Sequence, residues 1–255
     1  MVTVKITVLG ACGAWPEAGQ ACSGYLVEHD GFRLVMDLGY AALPRLLEHV
    51  PAERVDAVWI SHGHPDHCAD LNPLLRARAL GGEPVAALPV LAPPGALHAV
   101  LALDRPGMLD GACAVEDVVP GASFELGPFR ADTRLLPHHV PNAGIRLSAG
   151  GAVLAYTGDT GPSPEVVELA HDADLLLAEA TYVEEVPGGN APYLTSARQA
   201  GAQAALAGAG RLTLTHLWPG TDRAAARRAA AEGFGGPVDV AAVGQVIDLG
   251  GRAEG

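Results

Sequence analysis

The chain has 255 residues, of which 49% are hydrophobic and 5% aromatic, and its formal net charge is −13 at pH 7. This length slightly favours one α/β domain, residues 1–255, over two small domains. It has no unbroken apolar stretch of 18 residues and no N-terminal signal sequence, which predicts a cytoplasmic protein that does not contact a membrane. Lys5 is the only lysine, and the acidic balance disfavours long nucleic acids as substrates without excluding a small anion.

Strand-like and helix-like segments alternate in the first third of the chain. A strand at 2–9 ends in a Gly-rich loop, and strands at 25–28 and 32–36 flank Asp30-Gly31, a dipeptide suited to a tight hairpin turn. A buried strand at 55–60 is followed by a helix at 66–80. We expect this helix to be interrupted or bent near Pro73.

The same alternation continues to the end of the chain without an evident domain boundary. Ser163-Pro164-Glu165 is typical of a helix start, and Thr195 or Ser196 is expected to cap a helix that ends near residue 207. A last helix is predicted at 222–232. The predicted strands of this part are 85–91, 124–126, 130–136, 145–147, 153–156, 175–178, 211–215, 238–243 and 246–249.

The segment His62-Gly63-His64-Pro65-Asp66-His67 packs three imidazoles and a carboxylate into six residues directly after the strand at 55–60. In an extended segment His62 and His64 project to the same side, and Pro65 fits the first position of a helix. Asp66 and His67 would then open this helix and point from another direction. Four metal-ligating side chains from two directions can hold two ions.

Three further strands end at a candidate ligand, namely His138, Asp159 and His216. Taken alone, each is an ordinary loop or turn residue. Sites collect at strand ends of α/β proteins, so together they predict one metal centre. The four cysteines are widely spaced without a C-x-x-C pair, which argues against a disulfide framework or a thiolate zinc site.

In order and rough spacing, these residues resemble the signature of the metallo-β-lactamase superfamily, from the first strand to Gly244-Gln245-Val246. The resemblance implies an α/β fold of the four-layer αβ/βα sandwich type. Gly158-Asp159-Thr160 followed by Glu179-Ala180-Thr181 is similar to the ribonuclease Z and phosphodiesterase branch. It is also similar to actinobacterial relatives described as atypical cyclic-nucleotide phosphodiesterases.

The resemblance also implies the ligand sets, with His138 rather than its neighbour His139 at the ligand position. One ion would be bound by three histidines, a second by an aspartate and two histidines, and Asp159 would bridge both. The first set is His62, His64 and His138, and the second is Asp66, His67 and His216. Two divalent ions are therefore expected, with zinc favoured and manganese or iron as alternatives.

Two such ions lower the pKa of a bridging water, and Asp66 would fix this nucleophile and take up its proton. We expect a di-metal hydrolase in which a metal-bridging hydroxide attacks a small phosphodiester such as a cyclic nucleotide. The main alternative is an acyl hydrolase, such as a lactonase or thioesterase, with the same centre. Transfer-RNA 3′ processing and a non-catalytic metal-binding role are less favoured, and a homodimer is compatible with the sequence.

Two departures from the family pattern bear on mechanism and substrate. Tyr193 stands where ribonuclease Z-like enzymes place a histidine paired to Glu179. It is either a hydrogen-bond donor to a phosphate, though a poor proton shuttle, or a plain packing residue, and Glu179 would then orient a ligand. The segment between His138 and Asp159 is too short for the arm that grips transfer RNA. Arg146 is either a phosphate contact or an exposed hairpin residue.

Overall fold

Fourteen strands and seven α-helices make up the computed structural model, which describes residues 3–82 and 85–250. The strands are β1 (Val4–Gly10), β2 (Gly24–His29), β3 (Phe32–Leu38), β4 (Ala57–Trp59), β5 (Leu88–Ala92), β6 (Cys113–Asp117), β7 (Ser123–Leu126), β8 (Phe129–Leu136), β9 (Asn142–Ala149), β10 (Ala152–Tyr156), β11 (Leu175–Glu179), β12 (Leu212–Thr215), β13 (Val238–Val240) and β14 (Val246–Leu249). The helices are α1 (Ala42–Leu47), α2 (Pro65–Cys68), α3 (Leu71–Leu80), α4 (His98–Leu101), α5 (Pro164–Leu169), α6 (Ala197–Ala207) and α7 (Arg223–Phe234). None of the described helices combines the length and hydropathy needed to cross a bilayer.

The strands form two mixed sheets of seven strands each, in the orders β14-β1-β2-β3-β4-β5-β6 and β13-β12-β11-β10-β9-β8-β7. In the first sheet the pairs from β14 to β3 are antiparallel and those from β3 to β6 are parallel. The second sheet repeats this division, with antiparallel pairs from β7 to β10 and parallel pairs from β10 to β13.

The sheets pack face to face and carry helices on their outer faces. Alternate side chains of both sheets, including Trp59 and Phe129, share one buried apolar cluster. A second cluster joins the outer face of the first sheet to α1 and α3, and a third joins the other sheet to α5, α6 and α7. The four-layer αβ/βα sandwich implied by the family resemblance is therefore confirmed.

Two predicted hairpins are present and have left-handed turn residues. Asp30 and Gly31, with φ values of 48° and 80°, connect β2 to β3, and Gly150 and Gly151, with φ values of 56° and 77°, connect β9 to β10. Positive φ at both central positions matches the twist of the paired strands. The strand predicted from residue 2 begins at Val4, since Thr3 is not part of it, and residue 2 lies outside the described residues.

The helix predicted at 66–80 is interrupted as expected and forms two helices, but the interruption lies before Pro73 and not at it. The interruption falls at Ala69 and Asp70, between α2 and α3. Pro73 lies in the first turn of α3, where the missing N–H group costs no helical hydrogen bond. The chain turns earlier because the Asp70 N–H donates to Leu38 and its carboxylate accepts from the Leu43 N–H.

Other boundaries follow local hydrogen bonding. Ser196, not Thr195, caps α6 and forms a capping box with Gln199, whereas the Thr195 hydroxyl donates to the Thr160 carbonyl. Asp222 caps α7 through the N–H groups of the next turn. The sequence analysis did not predict α1, α4 or β6, which are short or have a weak apolar pattern.

Helices α6 and α7 pack closely because alanine and glycine line their contact. A Cβ on Gly201 would lie 2.1 Å from the Ala230 carbonyl oxygen. We therefore expect Gly201→Ala to lower the free energy of unfolding by about 1–3 kcal/mol despite the better helix propensity of alanine. Denaturant unfolding measures this change.

The matched control for this substitution is Gly188→Ala, where a new Cβ would meet nothing within 4 Å. Its free energy of unfolding should stay close to that of the unsubstituted chain. Equal stability of both variants would mean that α6 and α7 separate at no cost.

Candidate metal centre

All seven side chains predicted as ligands meet at one end of the two sheets. They form two groups that share Asp159, and within each group the ligand atoms lie within 4.8 Å of one another. One group is His62, His64, His138 and Asp159, and the other is Asp66, His67, His216 and Asp159. Five imidazoles and two carboxylates therefore converge on one small volume.

The first four side chains take the local conformations expected from their sequence. His62 follows β4, and His64 is extended, with φ −70° and ψ 143°. Pro65 then starts α2, so that Asp66 and His67 approach from the helix. The His62 Nε2 atom lies 3.0 Å from His64 Nδ1, which brings these two imidazoles together on one side of the centre.

His138 and His139 lie on the loop between β8 and β9 and point in different directions. The Nε2 atom of His138 lies 3.1 Å from His64 Nδ1, inside the first group. Its Nδ1 atom donates to the Tyr193 carbonyl 3.0 Å away, which leaves the Nε2 lone pair facing the cluster. His139 is in neither group, and its ring stacks on Tyr193 with centroids 4.4 Å apart.

Asp159 lies at the middle of the cluster because a sharp turn follows β10. Its Oδ1 is 3.1 Å from His67 Nε2, and its Oδ2 is 3.2 Å from His216 Nε2. Gly158 before it has φ 59°, and a Cβ there would lie 2.4 Å from the Asn142 Oδ1 atom. Glycine is therefore required at this turn.

His216 is held in a strained backbone conformation after β12. Its φ of 56° is unusual for a residue other than glycine, and such strain concentrates at functional sites. The Thr181 hydroxyl lies 3.1 Å from His216 Nδ1 and donates to the Glu179 carboxylate. Glu179 thus orients His216 through Thr181, consistent with the ligand-orienting role considered for it.

Asp37 is the functional residue that the sequence analysis missed. It is fully buried, and its Oδ2 atom lies 2.7 Å from His67 Nδ1. It also accepts hydrogen bonds from Ser61 and from the Tyr156 hydroxyl. A signal existed, because β3 ends at Asp37-Leu38 as other strands end at ligands, but the predicted strand stopped one residue earlier at Met36.

Burial keeps part of the histidine cluster neutral. It lowers the pKa of His62 well below its ordinary value and lowers that of His138 to about 4, although Asp159 opposes this shift. Both imidazoles therefore hold free lone pairs at neutral pH. A neutral imidazole is the form that binds metal.

The other side of the cluster is strongly acidic. Burial opposes charge on His67, but Asp159, Asp66 and Asp37 outweigh it and raise the His67 pKa well above its usual value. Burial likewise opposes ionisation of Asp66, but His67 and His216 hold its pKa low. Burial and the negative charge of Asp159 raise the pKa of Glu179 to about 8. The pKa values of Asp66 and Asp159 are both held below their ordinary range, so two negative charges beside the two imidazoles create a site that attracts cations.

The residues fit a pair of divalent ions. Among the buried polar atoms of the described ranges, His67 Nε2 and Asp159 Oδ1 have no hydrogen-bond partner, and both face the shared centre. These two atoms lie 3.1 Å apart and point at the same volume, and because buried polar atoms are normally well paired, the arrangement indicates a place for a cation. Imidazole nitrogen and carboxylate oxygen are ligands that zinc takes, and manganese or iron accepts the same mixture.

The structure places the remaining candidate residues at different distances from this centre. Asp66 is inside it, with Oδ2 accepting from the Ala14 N–H at 2.7 Å. Tyr193 lies beside it, and its hydroxyl makes no hydrogen bond within the part of the chain that is described. Arg146 is elsewhere, because its guanidinium donates to the Leu169 and His171 carbonyls at the end of α5. The phosphate contact considered for Arg146 is therefore not supported.

Comparison with known proteins gives one family. The family described as "Beta-lactamase superfamily domain" matches residues 35–217. The probable metallo-hydrolase YhfI of Bacillus subtilis is 33% identical over 95% of this chain and 99% of its own length. The ribonuclease Z of Kineococcus radiotolerans is 30% identical over 91% of this chain and 90% of its own length.

Solved structures agree with these sequence matches. The crystal structure of YhfI has a TM-score of 0.89 and 31% identity, and the match covers 97% of this chain and 100% of YhfI. Unliganded yeast PDE1 has a TM-score of 0.76 at 13% identity, over 98% of this chain and all of that one, which is a likeness of fold alone.

Proposed function

The chain belongs to the metallo-β-lactamase superfamily and is a metal-dependent hydrolase, and we propose that it cleaves small phosphodiesters such as cyclic nucleotides. The observation that carries this proposal is the sharing of Asp159 by two groups of ligand atoms. Two adjacent cations suit an in-line displacement at phosphorus, because they stabilise both the attacking and the leaving oxygen. The relative named ribonuclease Z supports a phosphodiester substrate.

In this proposal each ligand residue has a defined task. His62, His64 and His138 hold one ion, and Asp66, His67 and His216 hold the other, with Asp159 between them. The bound ions would activate water and neutralise charge on the substrate phosphate. Zinc is the proposed metal.

Asp66 is proposed to act both as a ligand and as the base that takes the proton of the attacking water. Its carboxylate is ionised at neutral pH because His67 and His216 outweigh the effect of burial on its pKa. The Ala14 N–H donates to Oδ2 and holds the carboxylate in position. A carboxylate fixed in this way can accept a proton without first reorienting.

Substrate size follows from the surface and from the segment after His138. Between His138 and Asp159 the chain forms only the hairpin of β9 and β10, with no inserted arm to grip transfer RNA. The formal charge of −13 repels a long polyanion. A small anionic substrate avoids this repulsion because it contacts mainly the metal centre.

The proposal is tested by assaying zinc-, manganese- and iron-loaded protein on bis-p-nitrophenyl phosphate, 3′,5′-cyclic AMP and a panel of lactones. We expect turnover of the phosphodiesters. Turnover of lactones alone would establish the acyl-hydrolase alternative instead. Full metal loading without turnover of any compound would indicate a binding role.

Tyr193 is proposed to donate a hydrogen bond to the substrate phosphate, since its hydroxyl is otherwise unpaired in the described ranges and its ring packs on His139. We expect Tyr193→Phe to lower kcat/KM for a phosphodiester about tenfold, the worth of one hydrogen bond to a charged group. The pH profile should not move, because Tyr193 is proposed to donate a hydrogen bond and not to transfer a proton. Steady-state kinetics between pH 6 and 9 measure both.

The control for Tyr193→Phe is Tyr40→Phe, a substitution of another exposed tyrosine that belongs to neither ligand group. Its kcat/KM should equal that of the unsubstituted enzyme. If the acidic or basic limb of the pH profile of kcat/KM shifted in Tyr193→Phe, Tyr193 would instead be identified as the proton donor.

A further inference from the structure

Three aromatic rings form a row along one side of the metal centre. The ring centroids of Trp15 and Trp218 are 5.9 Å apart, and those of Trp218 and Tyr182 are 5.2 Å apart. Their planes are tilted by 45° and 52°, a geometry common in aromatic clusters. We call these three residues the aromatic row.

Each ring of the row is tied to the metal centre through its own segment. Trp15 follows Ala14, whose N–H donates to the Asp66 carboxylate, and Trp218 lies two residues after His216. Tyr182 follows Thr181, whose hydroxyl lies 3.1 Å from the His216 Nδ1 atom. Short segments therefore connect all three residues of the row to the Asp66 and His216 side of the centre.

The backbone fixes the row in place. The Gly13 N–H donates to the Leu217 carbonyl at 3.0 Å, which pins the loop carrying Trp15 to the loop carrying Trp218. A Cβ on Gly13 would lie 2.7 Å from the His216 carbonyl oxygen, so the two loops approach as closely as glycine allows. Asn190 donates to the Tyr182 hydroxyl and holds the far end.

Trp15 is 48% exposed although it is one of the largest apolar side chains. A tryptophan held rigidly in water beside a catalytic centre offers a flat apolar surface at little cost in conformational entropy. A cavity of about 250 Å³ adjoins Trp218 and is also lined by Glu17, Gln20 and Arg223. An apolar face with a few polar groups at its edge is typical of a small-molecule site.

We infer that the aromatic row binds a planar aromatic ring of the substrate, such as a nucleobase, while its phosphodiester reacts at the metal centre. This inference rests on the proposed function and deepens it, because it names the part of the substrate that confers specificity. Stacking on an aromatic side chain tolerates any base, because every base has a π-face. It suits a single nucleotide better than a polymer, in agreement with the acidic surface.

Intrinsic fluorescence provides a test that does not depend on turnover. Of the three tryptophans, Trp59 is fully buried between the sheets, so quenching by a ligand reports Trp15 and Trp218. The probes are adenosine 5′-monophosphate and ribose 5-phosphate, titrated into the zinc-loaded full chain. We expect the first to quench fluorescence and to bind at least tenfold more tightly, because only it carries a base.

Trp15→Ala should weaken adenosine 5′-monophosphate binding about tenfold and leave ribose 5-phosphate binding within twofold. Trp15→Phe should retain most of the preference, since it keeps an aromatic face. Leu103→Ala, at a residue 69% exposed and outside the row, is the matched control and should bind both probes normally. Equal affinity of Trp15→Ala and the unsubstituted chain for adenosine 5′-monophosphate would overturn the inference.

A kinetic comparison separates this inference from the proposed function. With 3′,5′-cyclic AMP, Trp15→Ala should raise KM about tenfold, whereas its kcat/KM for a cyclic phosphodiester of glycerol should not change. If the unsubstituted enzyme hydrolyses both compounds and Trp15→Ala behaves identically, the inference fails and the proposed function stands. If the unsubstituted enzyme hydrolyses neither compound, the proposed function fails, and the fluorescence titration alone decides whether the aromatic row binds a nucleobase.

An exposed tryptophan can also form a contact between copies of the chain. Light scattering of the unsubstituted protein and of Trp15→Ala would reveal such a contact as a difference in molecular mass. A dimer that dissociates on this substitution, with unchanged binding of adenosine 5′-monophosphate, would assign the row to self-association and overturn the inference.

Discussion

Asp159→Ala is expected to lower kcat for a phosphodiester by at least about a thousandfold and to reduce bound zinc from two equivalents to one or fewer. The reason is that Asp159 is the only side chain common to both groups of ligand atoms. Its two oxygens face different partners, with Oδ1 at 3.1 Å from His67 Nε2 and Oδ2 at 3.2 Å from His216 Nε2. No other residue of either group can replace it without moving a strand end.

Metal content by mass spectrometry and turnover by steady-state kinetics measure these two effects. A third readout is the rise in Tm on adding zinc, which should be large in the unsubstituted chain and much smaller in the variant, because a ligand stabilises only the state that binds it. Circular dichroism should show that the fold is retained.

Asp110→Ala, at an exposed carboxylate outside both ligand groups, is the matched control and should bind two equivalents with normal activity. His64→Ala is an intermediate case, because His64 belongs to one group only. This substitution should weaken the binding of one zinc ion more than that of the other. Retention of both equivalents and of full turnover by Asp159→Ala would disprove the shared-ligand arrangement.

The candidate centre could be predicted largely from the sequence, because most of its residues lie in a short motif or at the end of a predicted strand. His62 to His67 are dense in one short segment, and the conformation of His64 before Pro65 follows from the steric demand of proline. The convergence of the distant residues could be anticipated from the rule that strand ends gather at one edge of a sheet. The sandwich itself followed from the family resemblance.

The parts that could not be predicted depend on tertiary contacts. Asp37 has no motif of its own, and its place at a strand end is a weak signal until the packing of β3 beside α2 brings it to His67. The break at Asp70 arises from hydrogen bonds to Leu38 and Leu43, which the local sequence does not specify. The aromatic row joins three loops whose mutual positions depend on the whole fold.

Asp37→Ala is expected to have the largest effect on stability of any single substitution considered, lowering the free energy of unfolding by about 3–5 kcal/mol. Fully buried Asp37 accepts hydrogen bonds from the Ser61 N–H at 2.7 Å, the Ser61 hydroxyl at 2.8 Å and the Tyr156 hydroxyl at 2.6 Å. His67 Nδ1 lies 2.7 Å away as a fourth partner. Removing the carboxylate leaves the Ser61 N–H, the Tyr156 hydroxyl and His67 Nδ1 buried without this acceptor, whereas the Ser61 hydroxyl keeps His62 Nδ1 at 3.0 Å.

The same substitution should weaken zinc binding about 10- to 100-fold, because His67 loses the contact that fixes its ring and tautomer. Asp37→Asn separates the two effects, since it keeps an acceptor oxygen but no charge and should recover part of the stability.

Asp56→Ala is the control: this half-exposed aspartate also accepts from a backbone N–H, that of Arg33, and its loss should cost about 1 kcal/mol or less. Denaturant unfolding of the metal-free protein and zinc titration measure the two quantities separately. If Asp37→Ala were as stable as Asp56→Ala, the carboxylate would not hold the strand ends together, and the geometry of His67 would have to come from packing alone.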